Sequence, residues 1–276
     1  MTADCGKRIR LSRIIRPDTR RGVCVAFDHG LDDGPIPGNI DSRATMSKLV
    51  EGGADGVLVS PGIARICADQ FAGKDAPALI LRLDWTNMFR HELNHHEGRT
   101  RLIARVEDAV RLGADAVLTF MFIGYEDPDV EADEVAKNAE VAQACSALGI
   151  PHIIEPMAQG GKVAGRGLDP ELIALNTRMA AELGADAIKT DYSGTPEAYA
   201  RVIEGCPIPI LIAGGPKAPT VRDSLEMVRG AIDAGAAGVV MGRNIIQADD
   251  PARMLAAIAA IVHDGNDVDE ALKHLG

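Results

Sequence analysis

The chain has 276 residues, 46% hydrophobic and 25% charged, close to the globular average, which excludes a disordered chain and allows one large domain. A formal net charge of −11 excludes a general nucleic-acid-binding role, which needs clustered Lys and Arg, but leaves room for small anions in a locally basic pocket. No run approaches the ~20 apolar residues of a membrane span, and five cysteines (Cys5, Cys24, Cys67, Cys145, Cys206) without a CxxC pair read as reduced thiols. A cytoplasmic location without membrane contact is expected.

A basic arm opens the chain. Residues 1–21 carry seven bases and two acids, net +5, which leaves −16 for the rest. The arm has no long apolar run and joins the first strand directly, so it is expected to cover the floor of a domain spanning residues 22–276. The first strand is Val23-Cys-Val-Ala-Phe-Asp28. A related phrase then recurs four times: Gly53-Ala-Asp-Gly-Val-Leu-Val-Ser60, Gly113-Ala-Asp-Ala-Val-Leu-Thr-Phe120, Gly184-Ala-Asp-Ala-Ile-Lys-Thr-Asp191 and Gly235-Ala-Ala-Gly-Val-Val-Met-Gly242. In each, Gly supplies a left-handed helix end, the next two residues turn the chain, and a short β-branched run makes a strand buried on both faces.

The phrases lie 60, 71 and 51 residues apart, too far for one βα unit. A further strand falls in each gap: Ala76-Pro-Ala-Leu-Ile-Leu-Arg-Leu-Asp84, Pro151-His-Ile-Ile-Glu-Pro156 and Pro207-Ile-Pro-Ile-Leu-Ile-Ala213. Helices are predicted over 101–112, 131–148, 169–183, 220–234 and 250–263, with starts such as Asp169-Pro170 and Asp250-Pro251. Eight alternating βα units specify an α/β fold, a single (β/α)8 TIM barrel carrying the N-terminal basic arm.

Such a barrel carries its chemistry at the C-terminal ends of its strands. Strand one ends in Asp28-His29-Gly30, strand three in Asp84, strand five passes Glu155, and strand six carries Lys189 and Asp191. Lys189 is one amine in an otherwise apolar strand. Desolvation and a nearby cation lower an ammonium pKa and yield an amine that attacks carbonyls; a lysine salt-bridged to Asp28 or Glu155 fits the position equally. Asp28 suits proton transfer or a turn cap, and His29 can share the proton work. The loops after strands seven and eight hold Gly214, Gly215 and Lys217, then Gly242 and Arg243. Their glycines let backbone amides approach an anion, and the cations add charge-assisted bonds, as in the recurring phosphate site of these barrels. A tight turn is the plainer reading of Gly-Gly-Pro. His91-Glu92-Leu93-Asn94-His95 matches the HExxH zinc pattern but lies in the long loop after strand three without a supporting apolar helix, so a solvated lid with no metal is expected.

Together these residues resemble the archaeal-type class I aldolase family, which includes fructose-bisphosphate aldolases, 2-amino-3,7-dideoxy-heptulosonate synthases and DeoC/LacD-like aldolases. The resemblance covers nearly the whole chain. It rests on Asp28-His29-Gly30 with Gly34-Pro35-Ile36-Pro37-Gly38, Lys189-Thr-Asp-Tyr-Ser-Gly194, Ala213-Gly-Gly-Pro-Lys217 and Gly242-Arg-Asn-Ile-Ile-Gln247. It implies a Schiff base at Lys189, proton transfer by Asp28, a substrate phosphate in the two glycine-rich loops, no cofactor, and a ring-forming homo-oligomer such as a decamer. One feature departs from the family pattern. Its catalytic Tyr, in a Tyr-Pro-Arg-Gly motif after strand five, corresponds to Met157 in Pro156-Met157-Ala158-Gln159-Gly160. Proton transfer then falls to another group, Glu155, His29 or Tyr192, or the reaction differs. The expected activity is reversible aldol cleavage of a phosphorylated sugar or keto compound. Acyl transfer to a thiol on the same lysine-bearing barrel, and metal-dependent hydrolysis at His91 and His95, are the alternatives.

Overall fold

The computed structural model describes residues 3–89 and 97–276. Its strands in chain order are β1 (Gly22–Ala26), β2 (Gly56–Val59), β3 (Ala78–Arg82), a short pair β4 (Asp84–Thr86) and β5 (Thr100–Leu102), then β6 (Ala116–Ile123), β7 (His152–Ala158), β8 (Ala187–Thr190), β9 (Ile210–Ala213) and β10 (Gly238–Met241). All but β4 and β5 form one closed parallel barrel, because β1 pairs with both β2 and β10. The expected (β/α)8 barrel is the observed fold.

Each recurring phrase closes a helix and opens a strand. Gly53, Gly113, Gly184 and Gly235 have φ of 76°, 82°, 97° and 102°, the left-handed region that a side chain disfavours. The Asp-Pro helix starts work as capped first turns: Asp169 accepts from the Glu171 amide at 2.9 Å and Asp250 from the Ala252 amide at 3.0 Å. The expected helix over 101–112 is shorter. Thr100–Leu102 pairs antiparallel with Asp84–Thr86, and the helix runs only Val106–Arg111. A strand of three residues has too little periodicity to reveal a partner so far upstream. This β4–β5 pair carries the chain from the end of β3 toward Met88 and Phe89. The HExxH segment lies outside the described residues.

Alternation along each strand sorts the side chains, because successive residues point to opposite faces. Val23, Val25, Val57, Val59, Leu79, Leu81, Ile188, Ile210, Ile212 and Val239 face the helices. Cys24, Ala26, Leu58, Ile80, Leu118, Ile153, Ala187, Leu211 and Val240 fill the lower interior together with Ile14 from the arm. Each fully buried aliphatic side chain contributes about 1.5–3 kcal/mol. One step further along β3, β7 and β8, the inward positions change character to Arg82, Glu155 and Lys189, all buried.

The arm contributes a helix over Ala3–Leu11, and its bases meet the acids of the recurring phrase. Lys7 pairs with Asp186 at 2.7 Å, Arg13 with Asp115 at 2.7 Å and Arg16 with Asp55 at 2.6 Å. Each of these carboxylates also accepts from the first amides of a neighbouring strand: Val23 to Asp55, Leu79 to Asp115 and His152 to Asp186. The net charge of the arm thus answers a ring of acids set by the phrase itself.

Candidate active site

Above the aliphatic layer the barrel interior holds a chain of charges. Lys189 Nζ on β8 lies 2.7 Å from Glu155 Oε1 on β7. Glu155 Oε2 accepts from Arg82 Nη2 at 2.7 Å, and Arg82 Nε on β3 donates to Asp28 Oδ2 at 2.7 Å. The four side chains alternate in sign, which is how buried charges are tolerated. Arg82 is 2% exposed, and its guanidinium carbon sits 3.7 Å from the centre of the Phe120 ring, a cation–π contact. Its third nitrogen, Nη1, is 3.6 Å from Asp84 Oδ1, and neither atom has a hydrogen-bond partner among the described residues. Asp84 is anchored behind the site by the Phe120 amide at 2.9 Å and Lys137 at 2.8 Å.

A cavity of about 340 Å³ opens over this layer. The structure brings Asp28, His29, Glu155, Lys189, Gly214, Gly215, Gly242 and Arg243 to its wall, as the sequence placed them. It also brings in Asp32, Arg82, Asp191 and an apolar side made of Met88, Phe89, Phe120 and Met157. Two of the sequence candidates are elsewhere. Tyr192 follows Lys189 by three positions, so alternation turns it outward, where its ring meets Tyr199 edge-on and its hydroxyl lies against Gly230. Lys217 is exposed and donates to the Gln247 carbonyl at 2.8 Å, bridging the two glycine-rich loops rather than lining the cavity.

Asn244 holds those loops together: its amide donates to the Gly214 carbonyl at 2.9 Å and its oxygen accepts from the Ala218 amide at 2.7 Å. At Gly242 a side chain has no room, because a Cβ would lie 2.1 Å from His29 Cε1. Arg243 Nε and His29 Nδ1 are both buried beside the cavity without a hydrogen-bond partner among the described residues. Arg82 had a signal in the sequence, a lone cation in an apolar strand like Lys189, but its pairing partners lie on strands remote in sequence.

A family model for DeoC/LacD family aldolases matches residues 22–248 of this chain. The chain belongs to this family. It is therefore an aldolase, a carbon–carbon lyase. Similar proteins include the 2-amino-3,7-dideoxy-D-threo-hept-6-ulosonate synthase of Halobacterium salinarum, 39% identical over 99% of this chain and 97% of that protein. The 3-hydroxy-5-phosphonooxypentane-2,4-dione thiolase of Escherichia coli is 37% identical over 97% of this chain and 86% of its own. Among solved structures, an archaeal fructose-1,6-bisphosphate aldolase, with its catalytic Lys covalently bound to the carbinolamine intermediate, superposes with a TM-score of 0.82. It is 30% identical, and the match covers 92% of this chain and 98% of that one.

The charges of the aldolase site divide its carboxyls into two kinds. Burial pushes Asp28 upward, but Arg82 and Lys189 outweigh it and hold the carboxyl below its ordinary range, an anion at neutral pH. Arg82 stays charged because Asp28, Glu155 and Asp84 overcome the cost of its burial. Asp32 and Asp191 shift the other way. Burial raises Asp32 to about 7, helped by the negative charges of Asp28, Asp33 and Glu155 against the pull of Arg82. Burial and Glu155 raise Asp191 to about 6, against Lys189. Burial pushes His29 down, so its ring is neutral near pH 7.

Proposed function

We propose that Lys189 is the Schiff-base nucleophile of a class I aldolase that reversibly cleaves or joins a phosphorylated sugar or keto compound. The observation that carries this reading is the buried Lys189–Glu155 contact at the wall of an open cavity. Glu155, 2.7 Å away, takes the ammonium proton, and the freed amine attacks the substrate carbonyl. The resulting carbinolamine loses water to give an iminium. Asp28, held as an anion by Arg82, faces the cation that forms. The iminium then draws in the electron pair of the carbon–carbon bond, releasing an aldehyde and leaving an enamine.

Gly214, Gly215, Gly242 and Arg243 hold the phosphate, with the guanidinium of Arg243 at the cavity wall supplying the positive charge. The end of the substrate away from the phosphate meets Met88, Phe89, Phe120 and Met157. The basic arm, from residue 3 to residue 21, closes the floor of the catalytic barrel, and the enzyme works as a cytoplasmic homo-oligomer in carbohydrate metabolism. Borohydride added with fructose 1,6-bisphosphate, dihydroxyacetone phosphate or pyruvate traps the iminium as a stable adduct on the Lys189 peptide, read by mass spectrometry. Absence of any adduct, with Lys189→Ala still active, defeats this assignment.

A second reading keeps the imine and replaces aldol cleavage by acyl transfer to a thiol. It is favoured by Met157 at the position of the family's tyrosine and by the similarity to the Escherichia coli thiolase. An acyl thioester among the products, in place of a free aldehyde, distinguishes it.

A further inference from the structure

We propose that Asp32 is the proton donor and acceptor of the reaction, doing the work of the phenol whose position Met157 occupies. The inference rests on the Schiff-base reading of Lys189 and adds the acid that this reading lacks. Among the described residues no tyrosine lines the cavity, and Tyr192 faces away from it. Of the other carboxyls that line it, Asp33 is exposed, Asp191 has no oxygen among the buried unpartnered atoms, Asp28 and Glu155 are bound to Arg82, and Glu155 is bound to Lys189 as well. Groups tied to cations in this way are poor acids. His29 is neutral, and a neutral imidazole is a weak donor of its remaining proton.

Asp32 differs from all of these. It closes the short helical turn His29–Leu31, and that turn is fixed: the Asp32 amide donates to the His29 carbonyl at 3.1 Å, and Trp85 Nε1 donates to the Leu31 carbonyl at 3.0 Å. One carboxyl oxygen, Oδ1, is buried without a hydrogen-bond partner among the described residues. Leaving an ionised oxygen in that condition is costly, whereas a neutral carboxyl tolerates it, and the other oxygen, which is not buried in this way, is open to a substrate hydroxyl. The charged groups acting on it are Asp28, Asp33 and Glu155, all repelling a further negative charge, and Arg82, which is already engaged. Its protonation near neutral pH agrees with this geometry, and both forms are then accessible during turnover.

From carbinolamine to enamine, with the proton of the Lys189 ammonium resting on Glu155, the proton balance closes on this one group. Neutral Asp32 gives its proton to the carbinolamine hydroxyl as the carbon–oxygen bond breaks, yielding water, the iminium and the Asp32 carboxylate. That carboxylate then removes the proton from the substrate's β-hydroxyl. The O–H pair becomes the new C=O bond of the departing aldehyde, the C–C pair moves into the enamine, and the iminium nitrogen becomes neutral. Asp32 ends protonated, as it began.

The test compares wild type with Asp32→Asn, Asp32→Glu and Asp191→Asn. Each is assayed across pH with the member of the borohydride panel (fructose 1,6-bisphosphate, dihydroxyacetone phosphate, pyruvate and their aldol adducts) that labels Lys189. Asp32→Asn is expected to lower kcat about 100-fold with KM changed only a few-fold, to abolish the ionisation near pH 7 in the kcat profile, and still to give the Lys189 adduct at long times. Asp32→Glu should restore part of the rate and move that ionisation. An unchanged rate and profile in Asp32→Asn, or loss of the ionisation in Asp191→Asn alone, overturns the role of Asp32. Absence of an adduct in the wild type with every panel member overturns the Schiff-base reading, and the acid with it. Thermal melts confirm that each variant is folded, and Asp32→Glu decides the question if Asp32→Asn is not.

Discussion

The two ends of the barrel treat buried charge in opposite ways. At the floor, Asp55, Asp115 and Asp186 each meet a base of the arm and a strand amide, and Asp55 accepts from His263 Nε2 as well at 2.9 Å. At the mouth, the charges also pair, yet His29 Nδ1, Asp32 Oδ1 and Arg243 Nε are buried without hydrogen-bond partners among the described residues, and Arg82 Nη1 meets Asp84 Oδ1 only at 3.6 Å. Since most buried polar atoms in folded proteins are satisfied, exceptions on side chains that line one cavity point to a site built for more than packing. The floor spends its charges on closing the barrel, and the mouth keeps some in reserve for substrate.

The sharpest way to break this contrast is Lys189→Met. Activity should fall by several orders of magnitude, since a nucleophile has no substitute. Stability should fall by less than it does in Arg82→Met, because Glu155 keeps its bond to Arg82 and the methionine fills much of the lysine's volume. Turnover and urea midpoints measured on the same preparation check both halves; a large loss of stability would show Lys189 to be a structural cation.

Arg82→Met should do the reverse in kind. It leaves Asp28 and Glu155 facing each other across a buried layer with one cation fewer, a loss of about 3–5 kcal/mol in urea unfolding. A stability within about 1 kcal/mol of wild type would mean that water already screens the layer. At the floor, Asp55→Asn weakens the links to Arg16 and His263 and should cost about 1.5–3 kcal/mol while leaving kcat unchanged. A fall in kcat there would show that floor and mouth are coupled.

The barrel was legible because its signal is repeated: a glycine at a left-handed helix end followed by an apolar run marks a strand wherever it occurs. Lys189, Asp28 and Glu155 were legible for a related reason, since strand ends are ordered by the fold. Arg82 and Asp32 were not given roles, although both stand in plain view in the sequence. The value of Arg82 lies in carboxylates from β7 and from the end of β1, and pairing across a barrel leaves no local pattern. Asp32 sits in a loop, where periodicity is silent and burial alone separates it from its exposed neighbour Asp33. Tyr192 misled in the opposite sense: its neighbours in sequence suggested the site, while the two-residue period of the strand turns it toward the helices.

The smallest effect expected is also the one whose sign is most specific. Asp191, at the wall of the cavity, has a folded pKa of about 6, against ~3.9 for an unfolded aspartate. Between these values the folded state holds a proton that the unfolded chain has released, so stability falls as pH rises from about 4 to 6. Asp28 has the opposite sign: its folded pKa is lowered, and its contribution is lost as pH falls through that value. Urea midpoints taken between pH 4 and 7 should therefore decline less steeply with rising pH in Asp191→Asn than in wild type. Below pH 4 the two curves should fall together, since Asp28 is intact in both. Equal slopes through the upper window would place Asp191 in water, ionised like a surface carboxylate, and would leave Asp32 as the one neutral acid at the mouth.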